Sequence, residues 1–128
     1  MEKYTINGYA VEYDTFDLDE IERWDSAVHA VADESVRTIL DEGACARMRR
    51  VCGAMLDFFD TVLGPGTARA AFGDKVNVKD IAEAYRSFTS AVSADRKNLS
   101  LTSQPAANRA QRRAAKKGGR QAVSALDP

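Results

Sequence analysis

The amino-acid sequence predicts a mainly α fold: an N-terminal β-hairpin, then a small three- to four-helix bundle, then a disordered basic C-terminal tail. Three observations indicate this. An Asn-Gly pair interrupts a short alternating pattern near the start, three later segments carry apolar residues at helical spacing, and that spacing fades near Asp95. A chain of 128 residues fits one domain. We therefore predict a helical domain over residues 1–96 and a flexible basic tail over residues 97–128.

The hairpin is predicted from "YTINGYAVEY", with strands at about 3–6 and 9–13. Asn7-Gly8 suits a two-residue turn that needs positive φ at both positions. Such a turn sets Ile6 opposite Tyr9, Tyr4 opposite Val11 and Lys3 opposite Glu12. Alternation then places five side chains on one face: Tyr4, Ile6, Tyr9, Val11 and Tyr13. An isolated hairpin is marginal in water, so this face must pack on helices or on a partner.

Four helices are predicted, at about 18–42, 44–63, 67–72 and 78–95. Asp17 and Asn77 are suitable N-caps for the first and the last, while Gly43, Gly64 and Gly73 end the first three. The second helix has a wide apolar arc, typical of a central helix with two neighbours. The expected core consists of Tyr4, Ile6, Val11, Ile21, Trp24, Val28, Val31, Val51, Cys52, Met55, Phe59, Leu63, Phe72, Val78, Ile81, Tyr85 and Phe88.

The formal net charge of -1 conceals an uneven distribution. Residues 1–96 hold 11 Lys/Arg and 18 Asp/Glu, a balance of -7, whereas residues 97–128 hold 7 Lys/Arg and only Asp127, a balance of +6. The start of the chain lacks the pattern of a secretory signal, and no apolar run approaches the ~20 residues that cross a bilayer. We therefore expect a cytoplasmic protein without a membrane segment.

No catalytic, metal or cofactor site is predicted. Cys45 and Cys52 are too far apart on one helix for a disulfide, and both are expected to be small buried residues. His29 is expected on the surface, with no nucleophile or metal-ligand spacing near it. "GPGTARAAFGDK" lacks the Gly-Lys-Ser/Thr ending of a phosphate loop. We expect a protein that is not an enzyme.

The basic tail leaves two alternatives open. Its cationic side chains could neutralise a few phosphates, or they could form a solvated, partner-binding segment; they are Arg109, Arg112, Arg113, Lys116, Lys117 and Arg120. No aromatic residue is interleaved to stack on bases. Weak nonspecific contact with nucleic acid is conceivable, but reading of a base sequence is not expected.

Several stretches resemble a family of small uncharacterised proteins of tailed phages and prophages of Gram-positive bacteria. They are the opening "YTINGYAVEYDTFDLD", the central "CGAMLDFFDTVLGPGTARAAFGDKVNV" and "NRAQRR" in the tail. Phe-Phe-Asp, Gly-x-Gly-Thr and Phe-Gly-x-Lys-Val-Asn occur at the family's spacing. The start of the last helix, "VKDIAEAY", departs mildly from the cysteine-bearing or leucine-rich pattern of other members.

The family is in turn similar to phage tail assembly chaperones. The resemblance implies a non-enzymatic protein that binds the tape-measure protein in the host cytoplasm until tail tube proteins replace it, with a possible homo-oligomer. A structural tail-completion or connector component of the virion is the alternative. The residues that we expect to contact a partner are Phe58, Val62 and Phe72 at the edge of the arc, with Arg109, Arg112, Arg113, Lys116 and Lys117 in the tail.

Overall fold

The structure is a computed structural model and describes residues 1–99. It confirms the predicted fold class, with a two-stranded antiparallel hairpin followed by four helices. The elements are β1 (Glu2–Ile6), β2 (Tyr9–Tyr13), α1 (Leu18–Val36), α2 (Ala44–Leu63), α3 (Thr67–Phe72) and α4 (Val78–Asn98). Nearly all of the predicted tail lies outside the described residues.

The hairpin has the predicted register, from Ile6 opposite Tyr9 to Lys3 opposite Glu12. Asn7 and Gly8 have φ values of 49° and 80°, as the two-residue turn requires. Asn7 Nδ2 also donates a hydrogen bond of 2.8 Å to the carbonyl oxygen of Ala71, which joins the turn to α3. The inner face packs on the helices as expected, although Tyr9 at its end remains 42% exposed.

Helix α1 begins as predicted but ends earlier. The Asp17 carboxylate accepts a hydrogen bond of 3.1 Å from the backbone N–H of Glu20. The prediction that the helix continues to about residue 42 is wrong, because it ends at Val36. Guanidinium groups of α2 bind its last carbonyl oxygens: Arg50 Nη1 lies 2.8 Å from the oxygen of Glu34, and Arg47 Nη2 lies 2.6 Å from that of Ser35. These cations replace the bonds of a further helical turn.

Helices α1 and α2 are antiparallel, because Trp24 meets Phe58 at one end and Glu34 meets Arg50 at the other. Helix α4 continues to Asn98, three residues past the predicted end. Its last turns are fixed by contacts with the hairpin and α1. Arg96 Nε donates to the carbonyl oxygen of Thr15 at 2.9 Å, and its guanidinium carbon lies 5.0 Å from the centroid of the Trp24 ring.

Phe88 of α4 is at the centre of an aromatic core and is 1% exposed. Its ring centroid lies 5.4 to 6.2 Å from those of five other aromatic residues, which come from both strands, α1 and α2: Tyr4, Tyr13, Trp24, Phe58 and Phe59. These rings fill the space between α4 and the other elements. Aromatic burial of this kind is a large apolar contribution to stability.

The core differs from the prediction in three respects. Small residues that periodicity alone did not single out are buried, namely Ala27, Ala68 and Ala84. Val78, predicted as core, is 41% exposed. Of the two cysteines predicted to be buried, Cys52 is buried but Cys45 is exposed. The N-terminal end of α2, where Cys45 lies, is therefore less covered than the sequence predicts.

Candidate functional site

A cleft of about 250 Å³ lies between α2, α3 and the segment that leads into α4. We call it the inner cleft, and its main apolar side chains are Leu56, Phe72 and Val76. The other apolar atoms come from Ala68, which is buried beneath them. This is a mostly apolar concave surface that the rest of residues 1–99 leaves uncovered.

A second cleft of about 300 Å³ lies at the N-terminal end of α2, and we call it the outer cleft. It is lined by Cys45, Met48, Arg49, Val76 and Val78. Val76 lines both clefts and is the one residue that the two linings share. We call the combined surface the groove.

Helix periodicity explains why α2 provides one long side of the groove. Cys45, Met48, Leu56 and Asp60 lie on one face, at intervals close to whole helical turns. Cys52 belongs to the same face but is 3% exposed and lines neither cleft, and burial raises the pKa of its thiol. From Cys45 to Asp60 the face is about 22 Å long. This length corresponds to about four turns of a helix.

The opposite side of the inner cleft is fixed by the break at Gly64-Pro65-Gly66. Gly66 has φ 89°, a left-handed conformation that a glycine adopts without strain and that allows α3 to start at once. The Asp60 carboxylate then accepts a hydrogen bond of 2.9 Å from the backbone N–H of Ala68. At the end of α3, the Phe72 ring lies 5.6 Å from that of Phe59 in the core. The side of the groove formed by α3 is therefore anchored to α2.

The charged residues around the groove are of both signs. Arg69 and Asp74 form an ion pair of 2.6 Å at the end of α3. Arg49 and Lys75 line the groove and form no ion pair within residues 1–99. The unpaired charge at the outer cleft is thus positive, which favours a partner segment with acidic residues beside its apolar ones.

The described part of the chain contains no group of three or more His, Cys, Asp or Glu residues that could hold a metal ion. His29 lies on the surface of α1, where its Nδ1 is 2.8 Å from the carbonyl oxygen of Asp25. None of the helices within residues 1–99 has the length and apolar character needed to cross a membrane.

The three partner-contact residues predicted in the domain have different positions. Phe72 lines the inner cleft. Phe58 and Val62, predicted at an exposed edge, are only 2% and 7% exposed, so that placement is wrong. Phe58 faces Trp24 and Tyr85, because α1 and α4 cover both sides of the arc. The predicted contact residues of the tail, Arg109, Arg112, Arg113, Lys116 and Lys117, lie outside the described residues.

Sequence reasoning missed the importance of Met48, Val76 and Val78, which are 51%, 44% and 41% exposed. A signal was present in "DKVNV", where two valines alternate with polar residues from the connection after α3 to the first residue of α4. The other side of the groove is formed by α2, whose residues are distant from these valines in sequence. Only the tertiary arrangement brings them together.

Comparison with known proteins gives a family assignment. No curated protein and no solved structure matches the chain. A family model matches residues 7–116, which include the groove and continue into the basic segment. The chain belongs to a family of unknown function, DUF6673.

Proposed function

We propose that this protein is a non-enzymatic, chaperone-like partner of phage tail assembly, which binds apolar helical segments of a tape-measure protein in the host cytoplasm. The identity of the partner comes from the resemblance of the sequence motifs to proteins of tailed phages. The mode of binding comes from the groove. An amphipathic helix that places its apolar side in such a groove is a common form of peptide recognition.

One observation carries this proposal: two clefts beside α2, which share Val76, remain open within residues 1–99 while the aromatic core is filled. A helix of matching length would contact Met48, Leu56 and Phe72 with residues at i, i+3 or i+4, and i+7. Arg49 and Lys75 would face acidic residues beside that apolar stripe. The core residues Phe58 and Val62 take no part in this contact.

The shallow form of the groove agrees with a temporary role. A partner held on the surface can leave without unfolding of the domain, so tail tube proteins can replace it. The acidic remainder of residues 1–96 would keep such a complex in solution through its net charge. The basic tail is available for contact with a further subunit.

Co-expression with a tape-measure protein of a related phage tests the proposal. The full wild-type chain is expected to keep the tape-measure protein in the soluble fraction, and Val76→Asp is expected to abolish that effect. Leu18→Asp is the matched control, because Leu18 is 79% exposed on α1 and is not part of the groove. The proposal would be contradicted if Val76→Asp kept the tape-measure protein fully soluble, or if the wild type did not keep it soluble.

Mass spectrometry of purified phage particles separates the chaperone from its main alternative. A chaperone that is replaced during assembly is expected to be absent from the particles. A tail-completion or connector protein would be present in a fixed ratio to the other tail proteins.

A further inference from the structure

The connection between α1 and α2 exposes three aliphatic side chains that the proposed function does not use. Val36, Ile39 and Leu40 are 80%, 39% and 88% exposed, and we call them the aliphatic knob. Single exposed apolar residues are ordinary, but three within five residues at one bend form a small projecting patch. Because Leu40 is so exposed, the knob does not occupy the groove of its own chain.

Hydrogen bonds from Arg50 of α2 hold both ends of the segment that carries the knob. Arg50 Nε and Nη2 donate to the Glu42 carboxylate at 2.8 and 2.7 Å, and Arg50 Nη1 binds Glu34 Oε1 at 2.6 Å. The N–H of Glu42 donates to the carbonyl oxygen of Ile39 at 3.2 Å, which closes a turn. A preorganised apolar projection loses little conformational entropy when it binds, which favours a role in recognition.

The outer cleft is complementary to the knob in size and in chemistry. Its volume of about 300 Å³ is roughly twice the ~150 Å³ of a cavity that accepts benzene, so there is room for two aliphatic side chains. Its lining includes Met48 and Val78, and both are partly exposed in the isolated chain.

Carboxylates outnumber cations among the unpaired charges beside the knob, where the one such cation in the described residues is Arg47, bound to the carbonyl oxygens of Ser35 and Arg37. Asp41 follows Leu40 directly, and Asp33 lies one helical turn before Val36. Neither forms an ion pair within the described part of the chain. Close to the knob, Arg37 is paired with Glu34 at 3.4 Å.

Around the outer cleft the unpaired charges are mainly positive. Arg49 lines it, and Lys75 and Lys79 flank Val76 and Val78 in sequence. Among the described residues next to them in sequence, Asp80 is the carboxylate without an ion pair, because Asp74 is paired with Arg69. Charge complementarity therefore favours contact between the knob of one copy and the outer cleft of another.

We propose that the protein self-associates head to tail, with the aliphatic knob of one copy in the outer cleft of a second copy. Such an interface is heterologous, because each chain contributes a different surface, and it can join more than two chains. The proposal does not depend on the identity of any phage partner. Because the knob and a partner helix need the same outer cleft, the second copy covers this apolar surface until a partner displaces it.

Sedimentation velocity of the full chain over a wide concentration range tests the proposal. The apparent mass of the wild type is expected to rise above the 14.0 kDa of one chain as its concentration increases. Leu40→Asp removes the knob and Met48→Glu blocks the cleft, so each variant alone is expected to remain at the mass of one chain. An equal mixture is expected to regain a dimer, because one intact knob and one intact cleft remain.

Leu18→Asp is again the matched control and is expected to associate like the wild type. Circular dichroism checks that every variant keeps its helices. If Met48→Glu loses them, Cys45→Glu provides a second variant of the outer cleft. A wild type that remains monomeric throughout overturns the proposal. So does undiminished association of Leu40→Asp, or a mixture that stays monomeric. Leu40→Asp separates this proposal from helix binding by the groove, because Leu40 lies outside the groove, whereas Met48→Glu and Cys45→Glu change groove residues.

Discussion

The two ends of α2 differ in how they contact the rest of the molecule. At its C-terminal end, Phe58 and Phe59 are 2% and 0% exposed among aromatic rings from three other elements. At its N-terminal end, Met48 is half exposed, and Arg50 joins α2 to α1 through ion pairs and carbonyl oxygens. One end is an apolar core, and the other is a polar joint beside an open apolar cleft.

This difference teaches that stability and recognition are carried by different side chains of one helix: Leu56 and Asp60 line the inner cleft while the neighbouring Phe58 and Phe59 are buried in the core. Side chains buried among aromatic rings are costly to change, whereas partly exposed side chains at the groove can change with little effect on folding. A surface used for temporary binding benefits from this separation, because it can vary without loss of the fold. The following predictions test the separation, beginning with the largest expected effect.

Phe88→Ala is expected to lower the free energy of unfolding by about 3–5 kcal/mol, because it removes the ring at the centre of the aromatic core. A small domain has only about 5–15 kcal/mol in total, so this variant should be largely unfolded in mild denaturant. Urea titration followed by circular dichroism measures the loss.

The matched control is Phe16→Ala, because Phe16 is 38% exposed. Its expected cost is much smaller, since part of the ring already contacts water. Equal losses in the two variants would show that the aromatic rings around Phe88 do not dominate the stability of the domain.

Much of the fold around the aromatic core could be predicted from the sequence, because the signals for it are local. Asn7-Gly8 determined the turn and register of the hairpin, and Asp17 and Asn77 provided the N-caps of α1 and α4. The apolar spacing in α4 identified Ile81 and Phe88 as buried residues. Each of these features depends on residues a few positions apart.

The N-terminal end of α2 could not be predicted, because its contacts join distant residues. The end of α1 depends on Arg50, which is 16 positions from Glu34 in sequence. The exposure of Phe58 was misjudged because an apolar arc shows which side chains face inwards but not which neighbours cover them. The groove requires α2 and Val76 to meet, and the basic tail lies beyond the described residues.

Arg50→Gln is expected to destabilise the protein by less than Phe88→Ala, through loss of the ion pairs with Glu34 and Glu42. The hydrogen bonds from Arg50 lower the pKa of Glu42 below its usual value of about 4.3. The pKa of Glu42 is lower in the folded state than in the unfolded state. The stabilisation is therefore present above about pH 4.3 and is lost as the pH falls through the folded pKa. The difference between variant and wild type should therefore be present at pH 7 and shrink in acid.

Arg49→Gln is the matched control for this titration, because the neighbouring Arg49 is exposed and lies in the outer cleft. Its unfolding free energy is expected to follow that of the wild type at every pH. A deficit of Arg50→Gln that persists unchanged at pH 3 would indicate that packing of the side chain and its hydrogen bonds to backbone carbonyl oxygens, rather than its ion pairs, hold the joint.

The smallest effect on stability is expected from alkylation of Cys45. This experiment compares the reactivity of the two cysteines of α2, one exposed and one buried. Cys45 is exposed in the outer cleft, whereas Cys52, two helical turns further, is buried and its thiol pKa is raised. Because the thiolate is the reactive form, iodoacetamide should label Cys45 quickly and Cys52 only when the protein unfolds. Intact-mass spectrometry should find one label on the native chain and two in denaturant, with no fall in thermal stability after the first. Rapid labelling of Cys52 in the native protein would mean that the groove opens into the core, and that binding at this surface and stability of the fold are not separate.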